Sequence, residues 1–105
     1  MSSSKDTVDF ILEQMQGAGN VTARKMFGEY GLFCNGIFFA EICDDSLFIK
    51  PTNGGRIYIG DVDEAPPHSG AKPFFHISGD RWDDADWLCG LVRVTVKELP
   101  LPKKK

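Results

Sequence analysis

The sequence has little that chemistry could be built on. Among 105 residues there are two histidines and three cysteines. His68 and His76 lie far from any Cys, so no zinc-type ligand spacing exists, and neither HExxH nor Gly-x-Ser-x-Gly occurs. Cys34, Cys43 and Cys89 are odd in number and spaced by nine and 46 positions, which makes neither a disulfide framework nor a metal set. Buried, reduced thiols that pack as small apolar groups are the expectation. The Gly54-Gly55 pair lacks the Gly-Lys-Ser/Thr that would make it a phosphate loop. Asp80, Asp83, Asp84 and Asp86 form an acidic cluster, but counting from Asp80 puts Ala85 and Leu91 where a calcium loop needs Gly and Glu. These carboxylates suit the positive start of a helix instead. Catalytic, cofactor and metal roles are therefore assigned to no residue, and the chain is expected not to be an enzyme.

Long apolar runs are also missing. No stretch of about 18 apolar residues could span a bilayer. "MSSSKDTVDF" has no continuous apolar core of the secretory type, so a cytoplasmic location is expected. An excess of positive charge is absent too. The net charge is −3, and from Glu41 to Asp86 there are ten acidic and four basic residues. Phosphate backbones require clustered cations, so this balance argues against direct nucleic-acid binding while leaving room for a local basic patch.

What the chain does have is one domain's worth of ordinary globular composition, 42% hydrophobic and 26% charged. Residues 1–100 are expected to form a single domain, with 101–105 a disordered basic tail ending in Lys103 to Lys105. Val8, Ile11, Leu12 and Met15 lie at helical spacing, which predicts a first helix over about 4–17, capped by Ser3 or Ser4. Asn35-Gly36 between apolar runs is a strong hairpin signal, and Asp44-Asp45 marks a second, weaker turn. Strands follow at about 26–34, 37–43 and 46–50, the last stopped by Pro51. The segment 52–60 reads as a short helix capped by Thr52 or Asn53, or as another strand. A long turn-rich connection from Glu64 to Pro73 leads to a strand at 74–78. Residues 91–97 alternate like a strand, but Ala85, Leu88, Leu91, Val92, Thr95 and Leu99 also make a helical stripe, with acidic residues at its start and Pro100 after it; a helix over about 83–99 is the reading adopted.

Two-residue turns fix register, so pairing outward from each turn assigns the sheet faces. Phe27, Phe33, Phe38, Ala40, Ile42, Leu47 and Ile49 then make the core face. Tyr30, Leu32, Ile37, Phe39, Glu41, Phe48 and Lys50 make the other, mixed face. An uncovered apolar patch of Tyr30, Leu32, Phe39 and Phe48 would mark an interaction surface, with later segments of the chain, a homodimer or another protein as its cover. "RKMFGEYGLF" (24–33) loosely suggests an RNA-binding strand, yet Glu29 interrupts the motif and no second such strand accompanies it.

Three stretches, "ARKMFGEYGLFCNGIFFAEICDDSLFIKPT", "GAKPFFHIS" and "WLCGLVRVTVKELP", resemble the TfoX/Sxy N-terminal domain of bacterial competence regulators. The likeness runs over about residues 5–100. It implies an α+β fold, order α-β-β-β-α-β(β)-α, with helices on one face of an antiparallel sheet, like secretion chaperones. It also implies a non-enzymatic regulatory role through protein contacts, with transcription machinery or a cyclic-AMP receptor protein as partner. A direct DNA-binding transcriptional regulator is the alternative. Full-length members continue into a second domain that is not seen here. The partner-contact candidates are Arg24, Lys25, Tyr30, Phe39, Phe48, Lys50 and Lys72.

Overall fold

The computed structural model describes residues 4–26 and 29–100. Phe27, Gly28 and the lysine tail lie outside them, so the face expected for Phe27 and the disorder expected for 101–105 go unaddressed. The chain runs α1 (Lys5–Met15), β1 (Val21–Met26), β2 (Glu29–Cys34), β3 (Ile37–Cys43), β4 (Ser46–Ile49), α2 (Asn53–Ile59), β5 (Asp63–Ala65), β6 (Phe74–Ile77) and α3 (Ala85–Val96). The six strands form one antiparallel sheet in the order β1-β2-β3-β4-β6-β5, an α+β fold as the sequence predicts. No helix among the described residues is long and apolar enough to cross a membrane.

Local chemistry sets the boundaries. Ser4 accepts from the Thr7 amide at 3.1 Å, Thr52 from Gly55 at 2.9 Å and Asp84 from Trp87 at 3.0 Å, so each helix starts on a side-chain cap. The Thr52 cap decides that 53–59 is helix. The Glu98 carboxylate also accepts from the Gly54 amide, which ties the start of α2 to the chain just past α3. Asn35 and Gly36 have φ of 51° and 86°, the conformation a tight primed turn needs. Asp44 and Asp45, at 52° and 55°, make the second turn without glycine, which short polar side chains tolerate. Two hydrogen bonds hold that turn: Glu29 accepts from the Asp44 amide and Asp45 from the Ser4 amide.

One face of the sheet carries all three helices. Ile11 and Met15 of α1, Ile59 of α2, and Leu88, Leu91 and Val92 of α3 join Leu32, Ala40, Ile42, Leu47, Ile49, Phe75 and Ile77 in a single core. The sequence reading placed Leu32, Tyr30 and Phe39 on the opposite face and Phe33 and Phe38 in the core. The structure reverses these five. Phe33 pairs with Phe38, but the next pair is Leu32 with Ala40, so Phe39 is an extra residue, a β-bulge. The bulge lets Phe39 and Ala40 both point into the core, each fully buried, while Phe38 swings to the helix-free face with its partner Phe33. Leu32 is fully buried, and Tyr30 packs against the same core. Alternation cannot survive an inserted residue, so pairing outward from the turn puts these five side chains on the wrong faces.

Strand β1 is the other departure. The sequence reading began its first strand near residue 26, whereas β1 and β2 are separate strands paired from Val21–Cys34 to Met26–Glu29. β5 (Asp63–Ala65), which overlaps the start of the turn-rich connection, pairs with β6 at the far edge.

Candidate functional site: a cation–aromatic platform on the helix-free face

The helix-free face is divided in two. On one side Cys43, Phe48 and Phe74 form a small second core against which Ala65 packs. The connection after β5 seals it: Pro67 is buried, and the His68 Nε2 lies 3.4 Å from the Glu41 carboxylate. Glu41 is only 5% exposed and also accepts from the Cys43 thiol at 3.6 Å. The Phe48 ring lies 5.2 Å from that of His76. Phe48 is thus covered within the chain.

Burial, and then the neighbouring carboxylates of Glu41 and Glu29, push the Cys43 thiol up to about 12. A thiol held protonated is no nucleophile. An unfolded cysteine ionises near 9, so the folded state gains full benefit below that value and loses it as pH climbs towards 12. The expected outcome is a urea midpoint that falls more for the wild type than for Cys43→Ala between about pH 8 and 10.5. Parallel falls would show that Cys43 is not so strongly perturbed.

The other side of the face is open. Arg24 extends from β1 over the Phe33 ring, its guanidinium carbon 5.2 Å from the centroid. Phe33 meets Phe38 at 5.3 Å with the rings inclined by 40°. Lys50, just past β4, places its ammonium 4.5 Å from the Phe38 centroid. The two rings are half-buried, Arg24 is exposed, and Lys50 is half-buried. Two cations bracket two aromatic rings in one continuous row across β1, β2, β3 and the end of β4, each cation against the negative face of a ring. Burial lowers the Lys50 pKa, while Glu41 opposes the shift.

Gly31 makes the row close-packed. A Cβ there would lie against the Met26 sulfur and 3.1 Å from the Phe38 ring, so only glycine lets both side chains lie flat over β2.

Of the seven candidates from sequence, the structure brings Arg24 and Lys50 together on this row. Lys25 is exposed and pairs with Tyr30 on the helix-bearing side of β1 and β2. Tyr30 is half-buried on that side. Phe39 is core, Phe48 is sealed, and Lys72 is exposed in the connection to β6. Phe33 and Phe38 were missed as surface residues. Their symmetric placement about Asn35-Gly36 hinted that they pair, but nothing hinted at the bulge that turns them outward.

A second concavity lies at the β5–β6 edge. It has a volume of about 370 Å³ and is lined by Asp61, Asp63, His76, Ser78 and Arg81 with apolar neighbours. The exposed Asp80 carboxyl is held below its ordinary range, chiefly by the neighbouring Ser78 side chain. Arg81 is stacked 4.9 Å from the Trp87 ring. Among the described residues no cluster of three or more His, Cys, Asp or Glu could hold a metal ion.

Comparison with known proteins places the chain in a family. The model of the TfoX N-terminal domain matches residues 13–99, most of the chain. The chain belongs to the TfoX N-terminal domain family. This TfoX N-terminal domain is also 30% identical, over all of its 105 residues and 90% of the relative, to an uncharacterized 12.7 kDa protein in the trpE 5′ region of Spirochaeta aurantia. Membership suggests a competence-related regulatory role. Arg24, Phe33, Phe38 and Lys50 all fall inside the matched span of the TfoX N-terminal domain.

Proposed function

We propose that this chain is a regulatory protein-interaction module that acts by contact, without chemistry of its own, and that the Arg24–Phe33–Phe38–Lys50 row is its contact surface. One observation carries the reading: on a sheet whose other face carries all three helices, this row leaves two aromatic rings and two cations partly open to solvent. Aromatic residues and arginine are the groups that anchor protein interfaces. The flanking cations favour a partner surface rich in carboxylates, which also sets association rate and specificity.

The test is affinity purification from the native cell, comparing wild type with Arg24→Glu/Lys50→Glu. Both changes are at partly or fully exposed side chains, so the variant is expected to fold. Its recovery of a specific partner should fall by at least about tenfold, as for the loss of an interface anchor. Equal recovery of the same partners would overturn the reading. Capture of duplex DNA with steep salt dependence, lost in the same variant, would favour the DNA-binding alternative instead.

A further inference from the structure

Strand β1 is an edge with a readable hydrogen-bond parity. The Asn35 amide donates to the Asn20 carbonyl at 2.9 Å, which makes Asn20 and Asn35 a hydrogen-bonded pair. In an antiparallel ladder such pairs alternate with non-bonded ones. With the register Thr22–Phe33, Arg24–Gly31 and Met26–Glu29, those three β1 residues turn their N–H and C=O groups towards β2. Val21, Ala23 and Lys25 turn theirs away from the sheet.

The chain itself uses those of Val21. Its amide donates to Gly19 at 3.0 Å, and its carbonyl accepts from the Gln16 side chain at 3.3 Å. Among the described residues no strand flanks β1 on its outer side. Ala23 and Lys25 therefore offer two N–H and two C=O groups at the spacing an added strand would take up.

Charge selects what could pair there. Arg24 points to the platform face, Lys25 to the helix-bearing face, and both are exposed, so an incoming strand meets a cation on either side. A second copy pairing through β1 would bring two such cation pairs together, and charged edge residues are a common defence against that association. An extended acidic segment meets complementary charge instead.

We infer that the open edge of β1 is a β-augmentation site for an extended, acidic peptide segment of a partner protein, which adds a seventh strand beside Ala23 and Lys25. The inference rests on the platform reading and gives it a binding mode: backbone pairing along β1 supplies register, while Arg24 and the Phe33–Phe38 rings receive the side chains that the added strand projects onto the helix-free face.

The probe is a synthetic peptide of about eight residues alternating glutamate with valine, the length of an ordinary strand, beside a control with lysine for glutamate. In the free protein the Ala23 and Lys25 amides should exchange with solvent much faster than those of Thr22 and Arg24. Saturating acidic peptide should slow both outward amides by at least about tenfold, and the lysine peptide should leave them unchanged. Lys25→Pro removes an N–H that points off the sheet, a position where edge strands accept proline. It should weaken peptide binding by at least about tenfold, against about threefold or less for Lys25→Ala, since only proline deletes the backbone donor.

Binding without protection of Ala23 and Lys25, equal binding by the Pro and Ala variants, or no binding of the acidic peptide would each overturn the inference. If these fail while Arg24→Glu/Lys50→Glu still loses its cellular partner, the edge falls and the platform stands. If the charge reversal is silent as well, both fall.

Discussion

Phe39→Ala is expected to lower the unfolding free energy by about 3–5 kcal/mol, the range for deleting a buried ring. Phe38→Ala, one residue away, should lose about 1 kcal/mol, from one aromatic contact and one cation–π contact on a half-open surface. Phe39 is fully buried in the main core, whereas Phe38 lies on the helix-free face between Phe33 and Lys50. The contrast follows from the bulge, because simple alternation along β3 would place Phe38 with Ala40 and Ile42 and predict the reverse order. Urea denaturation of the two variants reads the difference as a change in midpoint with little change in slope. Equal losses, or a greater loss for Phe38→Ala, would contradict the register shift between Leu32 and Phe33.

Gly90→Ala is the second change with a large expected effect, and its sign is unusual. Alanine in place of glycine inside a helix ordinarily gains up to about 1 kcal/mol. At Gly90 of α3 an added Cβ would press against the Tyr58 hydroxyl and sit 2.9 Å from the ring carbon that bears it. Tyr58 has little room to yield. Its hydroxyl donates to the Trp87 carbonyl at 2.9 Å, and its ring lies 5.7 Å from that of Trp87. Moving it loosens the packing of α2 on α3, so a net loss of about 1–3 kcal/mol is expected, as for overpacking generally. Thermal denaturation of Gly90→Ala alone and in a Tyr58→Leu background checks the cause. With Tyr58 shortened, the alanine should become neutral or mildly stabilising; a loss of the same size in both backgrounds would show that Tyr58 is not what Gly90 accommodates.

The contrast between these sites shows what a sequence can disclose. The Asn35-Gly36 turn was legible because positive φ at two adjacent positions demands particular residues, and the chain supplies them. Helices α1 and α3 were legible from apolar spacing, from a serine cap at the start of α1 and from the acidic residues at the start of α3. Membership of the family was legible too, because the motif around residues 24–51 is distinctive. Strand β1 was not: it buries only Val21 fully, and its exposed Thr22, Arg24 and Lys25 give no two-fold apolar pattern. The bulge at Phe39 left no signal either. Ile37, Phe38 and Phe39 are all large and apolar, so hydropathy cannot say which of them is the extra residue; packing of the finished core decides that. The candidate site was therefore only half visible, its cations Arg24 and Lys50 being named from sequence and its rings Phe33 and Phe38 being taken for core.

Phe38→Ala also gives the most direct test of the central claim, that the open half of the helix-free face is where this domain meets its partner. The measurement is recovery of a specific partner from the native cell by wild-type and Phe38→Ala protein, each first shown to be folded by its melting curve. A melting temperature lowered by only the several degrees that about 1 kcal/mol implies, together with at least about a tenfold loss of the partner, is the predicted result. Recovery of the same partners in the same amounts by folded Phe38→Ala protein would contradict the account.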